Sequence, residues 1–246
     1  MKNTLLTLTV IFTMSLNAQD CAELFISEYV EGPGNNNAIE IYNPTNATID
    51  LSEYTISRYR ETDQTGTDPI VFQLSGLIES AEALVIGNGQ LDSFYVGTYW
   101  SIPVDPIFYS LLNDHCDGIY ATNSTFYFNG NDAMVLTKLN DIIDIFGKVG
   151  ENPGQAWTDD ATAGYTDANG GTFWSKRQTL IRKPTIKQGV TTNPILFNPS
   201  AEYDSLPDAT YSNMGSHTCD CITPSLIKES EISYVMYPNP AKIGQD

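Results

Sequence analysis

The chain has 246 residues, of which 41% are hydrophobic, enough for one well-cored domain with short appendages. Only 17% are charged, and 30 Asp and Glu stand against 12 Lys and Arg, a formal net charge of −18. Phosphate backbones are held by clustered cations that release counterions. The single basic stretch, SKRQTLIRKP around Lys176 to Lys183, falls short of that, so no direct nucleic-acid partner is expected.

The N-terminus, MKNTLLTLTVIFTMSLNAQDC, begins with Lys2 and continues into a short apolar run from Leu5 to Leu16, too short to cross a bilayer. Ala18 is small, so residues 1–18 read as a secretory signal peptide cleaved between Ala18 and Gln19. The rival reading, a lipid anchor on Cys21, wants a small residue before the cysteine, where Asp20 stands. No other segment suggests membrane insertion.

Helical periodicity is almost missing; Asp105 to His115 is the one place for a short helix. Strand-like pieces are many: ELFISEYVE, AIEIYNP, EYTISRY, PIVFQLSG, EALVIGNG, STFYFNG, DAMVLTKL, DIIDIFGKVG and QTLIRKPTI. Turn signals separate them, which predicts a sandwich or barrel. Ile39 and Ile41 share one face, with Glu40 and Tyr42 opposite; Ile70, Phe72 and Leu74 share another, opposed by Gln73. Asp132 to Gly147 reads as a hairpin turning at Asn140-Asp141. Residues 151–172 form a long Gly- and Asp-rich loop with Trp157 as its anchor. After Ile186 an irregular stretch, NPILFNPSAEYDSLPDATYSNMGSH, with no strand period wraps on the sandwich edge.

Four cysteines follow the leader: Cys21, Cys116, Cys219 and Cys221. In an exported chain they are disulfide candidates with three full connectivities. A Cys219–Cys221 ring would be strained, which favours pairing each with Cys21 or Cys116, and the sequence leaves the choice open. The metal alternative joins His115 and Cys116 to His217, Cys219 and Cys221, without the two-residue spacers of structural zinc sites.

Glu28, Glu31 and Glu40 lie among apolar residues in ISEYVEGPGNNNAIEIYN. If the two strands pair, Glu28 and Glu40 come together across the ladder. A metal there would need further oxygens, with Asp50 a possible donor. The scaffold reading has one of them accept backbone N–H bonds or pair with Arg58, and it is preferred, since buried carboxylates need partners more often than they do chemistry. Asp167 and Asn169 resemble the start of an EF-hand loop, but Gly171 fills the fifth position and no Glu closes it. No cofactor is expected, with calcium the alternative. No Gly-x-Ser-x-Gly elbow, His-Glu-x-x-His or phosphate-cradling loop occurs.

Several motifs in order, LFISEYVEGPGNNNAIEIYNPTNATIDLSEYTISRY, YFNGNDAMVLTKLNDIIDIFGKVGENPGQAW, TLIRKP and FNPSAEYDSLPDATYSNMGSHTC, resemble the bacterial lamin-tail domain. The likeness places that domain at residues 22–219 and implies an all-β, immunoglobulin-like β-sandwich with long surface loops and no catalytic residues to carry over. A linker at 220–232 follows. Residues 233–246 look like the opening of the C-terminal sorting domain of type IX secretion, through Tyr237-Pro238-Asn239-Pro240-Ala241, which breaks off at Asp246.

The reading that results is a non-catalytic interaction or accessory module, secreted or held at the outer-membrane cell surface. Its partners would be the secretion machinery and an unknown protein or glycan. Two alternatives stand beside it: a metal-dependent phosphoesterase or nuclease fragment motivated by the acidic clusters, and a calcium- or glycan-binding adhesin motivated by the acids and the 14 tyrosines.

Overall fold

A computed structural model describes residues 20–116, 120, 122–158 and 174–221. The strands come in chain order as β1 (Phe25–Glu31), β2 (Asn37–Tyr42), β3 (Ile49–Asp50), β4 (Tyr54–Tyr59), β5 (Ile70–Gln73), β6 (Leu77–Ile78) and β7 (Ala83–Asn88). They continue as β8 (Phe94–Tyr95), β9 (Trp100–Ser101), β10 (Asp114–Cys116), β11 (Ala133–Lys138), β12 (Asp141–Phe146), β13 (Gln178–Arg182) and β14 (Tyr203–Pro207). Two short helices, α1 (Pro106–Tyr109) and α2 (Pro199–Glu202), punctuate them.

Two main sheets form the layers. One has six strands in the order β10-β7-β2-β1-β13-β14; the other has four, β12-β11-β4-β5. All pairings are antiparallel except β10 with β7. The main core lies between the sheets, where Ile26, Tyr29, Ile39 and Ile41 meet Ile56, Met134, Leu136 and Phe146. Tyr29 stacks on Phe146 with ring centroids 4.1 Å apart, an aromatic pairing that adds to plain burial.

The expected faces hold. Ile39 and Ile41 point into this core, while Ala38, Glu40 and Tyr42 face the other side. That second side is also covered, which the alternating pattern does not reveal. Val104 and Phe108 near α1 and Met214 from the C-terminal segment pack against Val30, Ala38 and Val85. Cys219 joins Phe25 and Tyr42. The six-stranded sheet is therefore buried on both faces, and every residue of β1 and β2 is buried.

Local chemistry explains the elements. At the β1–β2 turn Gly34 takes φ +66°, and the Gly32 amide donates to Asn36 O at 2.9 Å. A side chain at Gly32 would collide with the Tyr211 hydroxyl. Asp105 caps α1 by accepting from Ile107 N at 2.7 Å, and Pro106 supplies the first turn.

Four expectations need correcting. The STFYFNG stretch makes no strand in the structure; Phe126 and Phe128 reach the core from turns. The helix expected over Asp105 to His115 shrinks to α1, because Asp114–Cys116 joins β7 as a parallel edge strand. The segment read as irregular contains α2 and β14, and β14 pairs with β13 along its whole length. The β11–β12 turn falls at Leu139-Asn140, both with positive φ, and Asp141 already pairs with Lys138.

Candidate functional site

The expected pair of carboxylates forms. Glu28 and Glu40 are register partners across the β1–β2 ladder, next to a bulge between Ile26 and Glu28. They face the outer side of the sheet, and both are closed off from solvent, Glu28 at 0% and Glu40 at 1% exposure. Residues 211–221 lie over them. Glu40 accepts from Ser27 Oγ and from Gly215 N, each at 2.6 Å. Burial pushes its pKa up to about 7 against these bonds. Neither oxygen of Glu28 has a hydrogen-bond partner of good geometry. Burial, then repulsion from Glu40, raises its pKa to about 8, and the Asn213 side chain offsets this only in part. At neutral pH the pair therefore keeps at least one proton.

The other candidates disperse. Asp50 caps the turn at Leu51–Glu53 by accepting from Ser52 N at 2.9 Å, and lies far from this pair in role and exposure. Arg58, expected as a partner for Glu28 or Glu40, instead donates Nε to Asp132 Oδ2 at 2.9 Å and Nη1 to Ser124 O. Its strand belongs to the opposite sheet, so it meets the β11 side rather than the outer face of β1. His115 pairs its Nε2 with the Tyr109 hydroxyl at 3.1 Å. His217 packs edge-on to Phe25 and Tyr42, and burial lowers its pKa to about 4. Among the described residues no three His, Cys, Asp or Glu side chains gather in an arrangement that would hold a metal ion. Asp167, Asn169, Gly171, Ala18, Gln19 and Tyr237 to Ala241 lie outside the described residues.

Of the cysteines, Cys21 and Cys221 form a disulfide across 200 residues of sequence. Cys116 and Cys219 are buried thiols. They do not pair because Cys116 ends β10 at the far edge of the six-stranded sheet, whereas Cys219 packs on Phe25 and Tyr42.

Sequence reasoning missed a polar cavity at the β1–β2 turn. It has a volume of about 170 Å³ and is lined among others by Glu31, Asn35, Asn37, Arg58, Tyr99 and Tyr127. Glu31 accepts from Arg177 N at 3.1 Å, and burial raises its pKa to about 7. Asn37 donates Nδ2 to Phe128 O at 2.6 Å while its Oδ1 has no partner. Asn35 ties the turn to β9 and Gln90, with Nδ2 at 3.0 Å from both Ser101 Oγ and Gln90 Oε1. Tyr127 donates its hydroxyl to the same Gln90 Oε1 at 3.0 Å. The only sequence signal was the run of asparagines in GPGNNN, read as turn chemistry.

Residues 17–150 match the family model of the Lamin Tail Domain. The chain belongs to the lamin tail domain family. The matched span holds β1 to β12, and β13 and β14, beyond it, complete the six-stranded sheet of this lamin tail domain. Its fold is the immunoglobulin-like β-sandwich of the family. Among solved structures it is similar to a DUF4876 family protein from Bacteroides thetaiotaomicron, 14% identical over 82% of this chain and 74% of that one, with a TM-score of 0.35. No curated protein matches the chain.

Proposed function

We propose that this lamin tail domain protein is a non-catalytic module that acts by binding, exported through the type IX system and displayed at the cell surface. One observation carries the non-catalytic part: the buried acids Asp144, Asp132 and Glu40 are tied into the scaffold, and the remaining member of the carboxylate pair, Glu28, is closed off from solvent. Asp144 accepts Ile26 N at 2.7 Å and Val190 N at 2.8 Å and pairs with Arg182. Asp132 is bound by Arg58 and by Asn129 N at 2.7 Å, and Glu40 is bound by Ser27 and Gly215. An acid–base pair must reach its substrate, and Glu28 and Glu40 are sealed beneath residues 211–221. The export reading rests on the sequence alone, on residues 1–18 and on Tyr237 to Ala241.

Two experiments test it. Protease shaving of intact cells should remove the protein, and deletion of Tyr237 to Ala241 should leave it unshaved in the periplasm; a purely cytoplasmic location would refute export. Purified chain should not turn over DNA or small phosphodiesters with magnesium, manganese, zinc or calcium. Turnover that disappears in Glu28→Gln or Glu40→Gln would establish the phosphoesterase alternative instead.

A further inference from the structure

We infer that the polar cavity at the β1–β2 turn is a carbohydrate site that takes one pyranose ring of a neutral glycan, with Asn37 and Tyr99 as principal contacts. The inference deepens the binding-module reading and rests on it.

Size comes first. The cavity measures about 170 Å³. That is the bulk of one sugar ring.

The chemistry of the wall points the same way. Asn37 is only 4% exposed, and its Oδ1 lacks a donor. A buried acceptor left empty costs free energy that an incoming hydroxyl recovers. Asparagine amides and tyrosine hydroxyls both donate and accept, as sugar hydroxyls do. Charges on the wall offset each other. Arg58 is held by Asp132, and Glu31 accepts the Arg177 amide with Lys176 close by. Neither a phosphate nor a bare cation finds an uncompensated opposite charge there, so a neutral polyol is favoured.

Aromatic rings stand at the mouth. Tyr99 is 58% and Tyr120 is 40% exposed, and Tyr120 meets Tyr127 edge-on at 5.1 Å. Their hydroxyls add further groups that both donate and accept at the rim. The wall is also fixed in advance. Asn35, Gln90, Ser101 and Tyr127 are bonded together, which ties the β1–β2 turn to β9 before any ligand arrives.

The test uses calorimetry and saturation-transfer NMR on the purified chain with methyl glycosides of glucose, galactose, mannose and N-acetylglucosamine, followed by an array of longer neutral glycans. At least one glycoside should bind, with Kd on the order of millimolar. Asn37→Ala and Tyr99→Ala should each weaken it by about tenfold or more. Tyr99 is exposed, so Tyr99→Ala should melt like the parent and remain informative even if Asn37→Ala folds poorly. Trp100 meets Tyr95 at a tilt across the β8–β9 ribbon and does not line the cavity, so Trp100→Ala should bind normally. The assignment fails if no glycoside and no array glycan binds, which would leave the cavity to water. It fails equally if binding survives Tyr99→Ala, or is lost in Trp100→Ala. Absence of sugar binding with normal surface display sinks the cavity assignment alone, whereas catalytic turnover or cytoplasmic location sinks the module reading.

Discussion

Arg182 on β13 and Asp144 on β12 form an ion pair that joins the two sheets, with neither side chain exposed. Arg182 Nη1 also donates to Ile26 O at 3.0 Å, and Glu202 binds its Nη2. Burial opposes the guanidinium charge, but Asp144, Tyr203 and Glu202 more than offset it and raise its pKa. Removing one partner strands a buried charge. Asp144→Ala should cost about 3–5 kcal/mol in urea unfolding. Adding Arg182→Met to it should recover part of that loss, but not all, because Asp144 also satisfies Ile26 N and Val190 N. Full recovery in the double variant would mean those backbone bonds contribute nothing.

The Glu28–Glu40 pair predicts an unusual pH dependence. Both acids have folded pKa values above their ordinary 4.5, about 8 and about 7, and Glu31 joins them at about 7. The folded state thus holds protons that the unfolded chain releases. The stabilisation is full below pH 4.5 and is lost as pH rises through 7 to 8. His217 works in reverse, but only between its lowered value of about 4 and its ordinary 6.5. Above pH 6.5 the glutamates act unopposed by it, so the melting temperature should fall between pH 6.5 and about 8.5. Glu28→Gln mimics the protonated acid. It should be near neutral at about pH 5 and stabilise by about 4 kcal/mol at about pH 8. A melting temperature that climbs over that alkaline range would contradict the burial of the pair.

The Cys21–Cys221 bond closes most of the chain into one loop, with a sequence separation of 200. Loop-closure entropy sets an upper contribution of about 5 kcal/mol for such a span. Peptide mapping under non-reducing conditions should recover the two halves together, and two thiols should titrate only after unfolding. Cys21→Ser should lower stability, and reduction of the parent should match it. A map that joins Cys21 or Cys221 to Cys116 or Cys219 would overturn the assignment.

Leu139 is a residue whose neighbours suit the turn better than it does. It is 64% exposed and sits at φ +51°, followed by Asn140 at φ +84°. Left-handed backbone costs a branched side chain about 1–2 kcal/mol and asparagine less. Leu139→Asn should therefore stabilise by about 1 kcal/mol in thermal or urea melts. A destabilised variant would show that the leucine side chain makes a contact worth more than its backbone strain.

How much of this was legible depended on sequence distance. The Glu28–Glu40 adjacency followed from an 18-residue stretch with a turn in its middle, because hairpin register is set locally. Trp157 was legible as an anchor for the same kind of reason, a lone large apolar residue in a polar loop; its Nε1 donates to Asp132 O at 2.9 Å. What covers the outer face of β2 was not legible. Alternation placed Glu40 and Tyr42 opposite Ile39 and Ile41 without saying what covers that face, and residues 211–221, some 170 positions away, bury them. β14 was hidden because its burial has no strict period of two: Tyr203 is buried while Leu206 is half-exposed. The cavity was hidden for a similar reason, since Asn37, Arg58, Tyr99 and Tyr127 come from four separate stretches. Arg58 was given the wrong partner because strand order, not spacing, decides which sheet a side chain meets.

The bond between Cys21 and Cys221 has a geometric corollary. It holds their Cα atoms 5.5 Å apart just upstream of β1, whereas Glu31 closes the opposite tip of the same strand. Seven extended residues put roughly 20 Å between these poles. The disulfide and the asparagine-lined hollow thus occupy opposite ends of one strand, a clasp at one pole and a polar recess at the other.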